Sequence, residues 1–145
     1  MTLAIRPFAE GDTEEVVALW EACGLTRPWN DPRRDIARKL VVQRELFLVG
    51  ETRDPEVGTR LVATGMGGYE GHRAWINYLG VHPDARGRGV GRAIAAELER
   101  RLAAVAAPKI NLQVRQGNDE ALAFWAALGY SVDAAVSLGK RLVED

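Results

Sequence analysis

The stretch of sequence that decides the fold is Val81-His82-Pro83-Asp84-Ala85-Arg86-Gly87-Arg88-Gly89-Val90-Gly91-Arg92. The apolar run that leads into this stretch, Ile76 to Val81, predicts a β-strand. The residues after it, Ile94 to Leu102, have the spacing of an amphipathic helix. The chain is therefore expected to pass from a strand to a helix through a glycine-rich junction.

The glycine–arginine segment, residues 86–92, has the features of an anion site. Its three glycines permit backbone conformations that are closed to other residues, and they let a ligand approach the chain closely. The start of the following helix adds unpaired N–H groups and the positive end of the helix dipole. We expect this segment to bind a phosphate or pyrophosphate, with charge added by Arg86, Arg88 and Arg92. Spacing alone leaves a second interpretation open, a glycine-rich turn with solvated arginines.

Length and composition indicate one globular domain over residues 1–145, with 47% hydrophobic and 27% charged residues. The formal net charge of −1 argues against a nucleic-acid binder that relies on general positive charge. No long apolar span and no signal-peptide segment occurs, so neither membrane insertion nor secretion is expected. The single cysteine, Cys23, favours a reducing cytoplasm, and His72 and His82 lack metal-ligand spacing, so no metal is expected.

Hydrophobic periodicity and turn residues predict the element order β-α-α-β-β-β-α-β-α-β-β, which indicates a mixed sheet covered by helices. The last strands are predicted at residues 110–114, Tyr130 to Val132 and Leu138 to Val143. Glycines within the third strand indicate a bulge or a close approach by another group: Gly65, Gly67 and Gly68.

The first two helices carry recognisable start signals. Asp12 and Glu15 have the spacing of a capping box at the start of the first helix. Asp31 is a candidate N-cap for the second, and Pro32 suits its first turn. The apolar spacing runs through Ile36 and Leu40 and takes this second helix as far as Gln43 or Arg44. Its charged residues are expected to form a solvated face: Arg33, Arg34, Arg38 and Lys39.

Two familiar phosphate-binding motifs do not fit the glycine–arginine segment. The dinucleotide fingerprint Gly-x-Gly-x-x-Gly fails because Gly91 comes one position early, and the Gly-Lys-Ser or Gly-Lys-Thr ending of a Walker loop is absent. Instead, Arg86-Gly87-Arg88-Gly89-Val90-Gly91 resembles the signature Arg or Gln-x-x-Gly-x-Gly or Ala of the GNAT superfamily, the acyl-CoA-dependent N-acyltransferases.

A second block of sequence strengthens this resemblance. Residues 118–130, Asn-Asp-Glu-Ala-Leu-Ala-Phe-Trp-Ala-Ala-Leu-Gly-Tyr, look like the family's Asn-x-x-Ala, aromatic and Gly-aromatic segment. Residues 27–32 and 137–142 are similar to the bacterial YpeA-type subgroup of acetyltransferases. The resemblance covers essentially the whole chain. It implies an α+β or α/β fold with a mixed, mostly antiparallel sheet of six to seven strands, helices on both faces, and splayed fourth and fifth strands.

The family resemblance also implies how acetyl-CoA is held. The backbone N–H groups of the segment would bind the pyrophosphate, with these residues involved: Arg86, Gly87, Arg88, Gly89, Val90, Gly91 and Arg92. The strand backbone around Leu79 and Val81 would pair with the amide-rich pantetheine arm as an added strand does. An N–H near Val81 would hold the thioester carbonyl. Asn118 would either contact the CoA arm or cap its helix.

The catalytic groups of the family are only partly present. Where many relatives have a tyrosine acid this chain has Trp125, whose indole N–H is not a usable acid. Where some relatives have a glutamate base it has Trp75. The nearest titratable candidates for the base are Glu70 and His72, and Asn77 is a candidate for orienting a water.

The loop before the second helix is a candidate acceptor site. Trp29, Asn30 and Asp31 would border the acceptor pocket of the family, although the same residues suit a packed tryptophan and a helix cap. The leading hypothesis is transfer of an acetyl group from acetyl-CoA to a primary amine of a small molecule, peptide or protein. The alternative is a non-catalytic acyl-CoA-binding or regulatory module. A homodimer stays open.

Overall fold

The computed structural model describes residues 2–145 as two compact units, a larger one that ends at Leu112 and a smaller one, Gln113–Asp145. The strands of the larger unit are β1 (Thr2–Pro7), β2 (Phe47–Asp54), β3 (Gly58–Tyr69), β4 (Ala74–Val81) and β5 (Ile110–Asn111). Its helices are α1 (Thr13–Ala22), α2 (Pro32–Lys39) and α3 (Val90–Ala104). The smaller unit contains α4 (Asp119–Ala127).

The five strands form one mixed sheet in the order β1-β2-β3-β4-β5. The first three pairings are antiparallel and the last, between β4 and β5, is parallel. This confirms a mixed, mostly antiparallel sheet, but the expected count of six to seven strands was wrong. The parallel pairing joins only Ala74 to Ile110 and Trp75 to Asn111, so the rest of this β4 edge has no partner strand among residues 2–145.

The missing strands are those predicted after α4. Neither Tyr130 to Val132 nor Leu138 to Val143 forms a strand, and the strand expected at residues 110–114 is reduced to Ile110–Asn111. A strand needs a hydrogen-bonded neighbour, whereas an apolar alternation only makes one face suitable for burial. In the segment after α4 the apolar side chains are exposed, among them Val132, Leu138 and Leu142.

The two faces of the sheet are covered by different helices. Gly65 and Gly67 of β3 lie under Ile94, Leu98 and Leu102 of α3. Thr64 of β3, which points to the other face because side chains alternate along a strand, accepts a hydrogen bond from Trp20 of α1. Helices α1 and α3 therefore pack on opposite faces, as expected for helices on both sides.

On the α1 face the core is largely aromatic. Phe8 and Phe47 stack with ring centroids 4.5 Å apart, and Trp20 lies 6.1 Å from Phe47. Ile36 of α2 and Met66 of β3 belong to the same buried cluster, so α2 lies on this face as well.

Two of the predicted helix boundaries need correction. The Asp31 carboxylate accepts from the N–H of Arg33, at 2.9 Å, which confirms the cap of α2. The helix ends at Lys39, however, and Gln43 has a left-handed backbone (φ +50°), so the extension to Gln43 or Arg44 was wrong. Asp12 makes no capping box with Glu15, because its carboxylate is held by two hydrogen bonds from Arg6, at 2.8 and 2.9 Å.

No helix among the described residues is long and apolar enough to cross a membrane.

Candidate functional site

The glycine–arginine segment joins β4 to α3 in an open, left-handed path. Gly87 and Gly89 have φ of +76° and +78°. Residues with a Cβ adopt this left-handed region only at a cost of about 1 kcal/mol or more. A Cβ built on either glycine would meet no other atom within 4 Å. The segment therefore needs glycine for its backbone conformation, and the space beside it is free for a ligand.

The start of α3 has the electrostatics of an anion site. Its N-cap is Gly89, so no cap side chain accepts from the first N–H groups, and its first turn contains no acidic residue. Those N–H groups and the helix dipole favour a negative charge at this end. The residues present thus fit a phosphate group, and Arg88 and Arg92 are beside this helix start in the chain. That they bind one stays a prediction.

Arg86 points back along the chain toward β4. Its Nε donates to the Val81 carbonyl at 2.9 Å, and the Cys23 thiol contacts the same oxygen at 3.3 Å. Burial raises the pKa of the Cys23 thiol, while the Arg86 guanidinium acts in the opposite direction. Cys23 is therefore a half-buried thiol that is protonated at neutral pH and closes the end of α1.

The outer edge of β4 presents backbone groups without a partner strand. The N–H of His82 donates to Val62 of β3 at 2.7 Å. Since hydrogen-bonded and non-bonded positions alternate in an antiparallel pair, the N–H and carbonyl of Val81 face away from β3. The parallel pairing with β5 has already ended at Trp75. Among the described residues no strand pairs with the edge from Leu79 to Val81, and although the Val81 carbonyl is taken by Arg86, the Val81 N–H is directed toward this edge.

A bulge turns β4 just before this open edge. The register with β3 shifts between Thr64 and Met66, and Tyr78 adopts a left-handed backbone with φ of +50°. Three contacts hold it: Trp20 stacks on the ring at 3.8 Å, the Thr64 hydroxyl donates to the Tyr78 carbonyl at 2.8 Å, and the Tyr78 hydroxyl donates to Asp35 at 2.6 Å. A strained conformation of this kind persists only where its surroundings fix it.

A cavity of about 300 Å³ lies beside the bulge, between α2 and the sheet. Trp75 and Asn77 of β4 line it, and their pairing with Gly68 and Met66 places them on the α1 face. Its lining, which we call the α2 cavity, comprises Lys39, Val42, Gln43, Met66, Gly67, Gly68, Tyr69, Glu70, Trp75 and Asn77.

Of the two predicted base candidates, the structure brings only Glu70 into the α2 cavity lining. The Glu70 carboxylate accepts from the backbone N–H groups of Arg73 and His72, the latter at 2.6 Å. These hydrogen bonds, that from Arg73 first, lower the pKa of the Glu70 carboxyl. Glu70 is thus ionised at neutral pH, and it attracts a cation more readily than it takes up a proton. His72 lies in the exposed turn that Glu70 closes.

Lys39 is the residue of this site that sequence reasoning missed. It was expected on the solvated face of α2, yet its side chain is buried and its ammonium donates to the Gly67 carbonyl. Burial lowers the pKa of Lys39, against a smaller opposing effect from the Glu45 carboxylate. The signal available in the sequence was its position, three residues after the apolar Ile36 on the same helix face.

The three predicted acceptor residues lie outside the α2 cavity lining. Trp29 is half exposed, Asn30 forms an isolated bridge with Arg27, and Asp31 caps α2. Their role toward an acceptor stays a prediction, as do the CoA contacts expected of residues 79–92.

In the smaller unit, Asn118 caps α4 by accepting from the N–H of Ala121 at 3.1 Å. Trp125 packs edge to face with Phe124 and Tyr130, with ring centroids 5.0 and 4.9 Å away. Asn118 thus has the cap role that the sequence offered, and Trp125 is a packed aromatic. Within residues 2–145 no group of three or more His, Cys, Asp or Glu side chains is arranged to hold a metal ion.

Comparison with known proteins identifies relatives over nearly the full chain. The model of the acetyltransferase (GNAT) family matches residues 13–130. A protein named acetyltransferase from Sodalis glossinidius is 50% identical over 144 residues, which cover 99% of this chain and 98% of that protein. A protein of Yersinia pestis named uncharacterized N-acetyltransferase is 48% identical over 143 residues, again 99% and 98% of the two chains.

A solved structure of similar fold is Naa20 of Chaetomium thermophilum in complex with a bisubstrate analogue. Its TM-score is 0.68 at 26% identity, and the match covers 89% of this chain and 71% of that chain.

Proposed function

This chain belongs to the GNAT acetyltransferase family, and from that premise we propose that it moves an acetyl group from acetyl-CoA to a primary amine. The observation that carries the proposal is that three features follow one another along β4 and the segment after it. They are the α2 cavity at Trp75 and Asn77, the open edge from Leu79 to Val81, and the N–H-rich start of α3.

Each part of the donor has a matching feature in this arrangement. The first-turn N–H groups of α3 suit the pyrophosphate, since a helix start favours negative charge. The open edge of β4 suits the amides of the pantetheine arm, because an unpaired strand edge accepts an extended partner. The outward N–H of Val81 suits the thioester carbonyl, on which negative charge develops as the amine attacks.

The acceptor amine is proposed to reach the thioester from the α2 cavity. Acetyl-CoA supplies an activated acyl group. The amine lone pair forms the new C–N bond, the C–S bond breaks, and CoA leaves as a thiolate. The carboxylate of Glu70 attracts the cationic amine into the cavity. The ammonium releases one proton to water before its nitrogen attacks, and the nitrogen releases a second proton to water as the amide forms. Trp125 stands where many relatives have a tyrosine acid, and its indole N–H cannot protonate the departing thiolate. CoA is therefore proposed to leave as the thiolate, without a protein acid.

The direct test is release of free CoA thiol. Protein is mixed with acetyl-CoA and a panel of primary amines, and the thiol is followed by a colour reaction, with amine-free mixtures as the control. We expect amine-dependent thiol release and a matching acetylated amine by mass spectrometry. If CoA raises the melting temperature but no amine in the panel causes thiol release, the transferase proposal fails and a non-catalytic acyl-CoA-binding module is favoured.

A further inference from the structure

The α2 cavity contains a buried cation whose charge the described residues leave without an ion pair. Lys39 is 9% exposed, and its ammonium makes one hydrogen bond, to the Gly67 carbonyl. An ammonium has three N–H donors, so two are left for other partners. Within residues 2–145 no carboxylate lies at ion-pair distance from it, and Glu45 acts on it only from farther away.

Gln43 adds a second donor at the same place. Its Oε1 accepts from the Tyr69 N–H at 2.8 Å, so the group that it has left for the cavity is its NH₂. A Cβ built on Gly68 would stand 3.6 Å from both the Gln43 Oε1 and the Lys39 Nζ. The two side chains therefore meet above Gly68, where the absence of a side chain leaves room for a ligand.

A purely structural role does not account for this arrangement. Tying α2 to β3 requires only an apolar side chain of similar length, whereas removing an ammonium from water is costly unless an opposite charge compensates it. The cavity opens beside the ammonium, so the compensating charge can come from a ligand. The Lys39 ammonium and the Gln43 NH₂ are both donors, and a charged donor pairs most strongly with an anionic oxygen group.

Resting on the proposed function, we propose that the acceptor is a small amine that also carries a carboxylate, and that Lys39 and Gln43 bind this carboxylate. Glu70 lines the same cavity with the opposite charge, so the cavity is complementary to a zwitterion. A volume of about 300 Å³ is at the lower end for ligand sites, which favours a free amino acid or a similar small molecule over a longer chain.

The test compares matched amines. The panel contains α-, β- and γ-amino acids, each with its carboxamide and its decarboxylated amine. Acetyl-CoA-dependent thiol release is measured for each amine. The proteins compared are the wild type, Lys39→Met, Lys39→Arg and Lys109→Met. Lys109→Met is the control, since it removes an exposed lysine outside the cavity lining. Thermal melts establish that each variant is folded.

We expect at least one amino acid to exceed its carboxamide in kcat/KM. Lys39→Met should lower kcat/KM for that amino acid by about 10- to 100-fold, mainly through KM, because a hydrogen-bonded charge pair is lost. The carboxamide should change by less than about threefold, Lys39→Arg should retain part of the preference, and Lys109→Met should match the wild type. A role of Lys39 in packing alone would affect acid and carboxamide equally.

The outcomes separate this inference from the function on which it rests. If amines are acetylated without preference for a carboxylate, or if Lys39→Met keeps the preference, the carboxylate site is refuted and the transferase proposal stands. If short peptides with an acidic side chain are added to the panel and only these are acetylated, the small-molecule acceptor is refuted. If no amine is acetylated although acetyl-CoA binds, both proposals fail.

Discussion

The two faces of β3 use glycine for opposite purposes. On the α3 face, a Cβ at Gly65 would come within 2.6 Å of Ile94 and 2.9 Å of Leu98, so the helix packs directly on the strand backbone. On the α1 face, a Cβ at Gly68 would be 3.6 Å from the flexible ends of Gln43 and Lys39, and a cavity lies there. The two glycines are three residues apart in one strand. Gly65 allows a tightly packed apolar interface, and Gly68 leaves space for a polar cavity.

This difference is determined by the helices that cover the strand. Helix α3 presents Ile94 and Leu98, branched apolar side chains that fill the space above Gly65. Helix α2 ends at Lys39, and the chain then turns so that Gln43 meets Tyr69. The sequence position of a glycine in a strand therefore does not reveal whether it allows a close approach or a cavity. The side chains that face it from the covering helix decide this.

The largest expected effect comes from the same substitution on the two faces. Gly65→Ala should lower the free energy of unfolding by about 2 kcal/mol or more, because the new methyl overlaps Ile94 and Leu98 in a packed core. Gly68→Ala should change it by no more than about 1 kcal/mol in either direction, since the methyl fits and the unfolded chain loses freedom. Urea unfolding measures both. Equal effects would refute the contrast between the faces.

The next effect tests the α1 face alone. Thr64→Val should lower the free energy of unfolding by about 2 kcal/mol, because the buried Trp20 N–H loses its acceptor and the Tyr78 carbonyl loses a donor. Thr59→Val, at an exposed position of the same strand, is the control. Should the two variants unfold at the same urea concentration, the Trp20–Thr64–Tyr78 hydrogen bonds do not hold the bulge.

The start of α3 is the proposed anion site, and Gly89→Glu tests it. A glutamate there should weaken CoA binding about 10-fold or more, since its charge opposes a phosphate at the helix start. Gly58→Glu is the matched control: Gly58 has φ of +90° and open space around it, so it bears a similar backbone cost away from the segment. Calorimetric titration with CoA measures both. Unchanged affinity in folded Gly89→Glu would place the donor elsewhere.

The smallest effect is the pH dependence contributed by Lys39. Its pKa is lower in the folded chain than its ordinary value of 10.5, so between these values the unfolded chain binds more protons and stability rises with pH. The stability of the wild type relative to Lys39→Met should therefore increase from pH 7 to pH 10.5. Urea unfolding across this range measures it, with Lys109→Met as the reference for an exposed lysine. A constant difference would mean that Lys39 is hydrated like any surface lysine.

What the sequence predicted well depends on neighbours in the chain. The cap at Asp31 and the strand-to-helix junction at the glycine–arginine segment are determined by residues a few positions apart, and both are in the structure as expected. The mixed sheet followed from element order and a family signature.

What the sequence did not predict depends on distant partners. Lys39 is buried because Gly67 and Gly68, almost thirty residues later, offer a carbonyl and a space. Asp12 fails to cap because Arg6 takes its carboxylate. The strands expected after α4 have suitable alternation, but no pairing partner takes them up among the described residues. Periodicity shows which side chains suit burial, and only the fold decides which are buried.

The start of α3 has one more consequence, for how such an enzyme diversifies. The site at the start of α3 consists of backbone N–H groups and left-handed glycines, so most side-chain substitutions leave its binding groups in place. On the proposed function, the preference for acetyl-CoA is therefore determined by the backbone. The α2 cavity owes its character to a few side chains that project from a helix end and two strands. A single exchange at Lys39 or Gln43 would change its charge. This architecture lets a lineage change what it acetylates while it goes on consuming the same co-substrate.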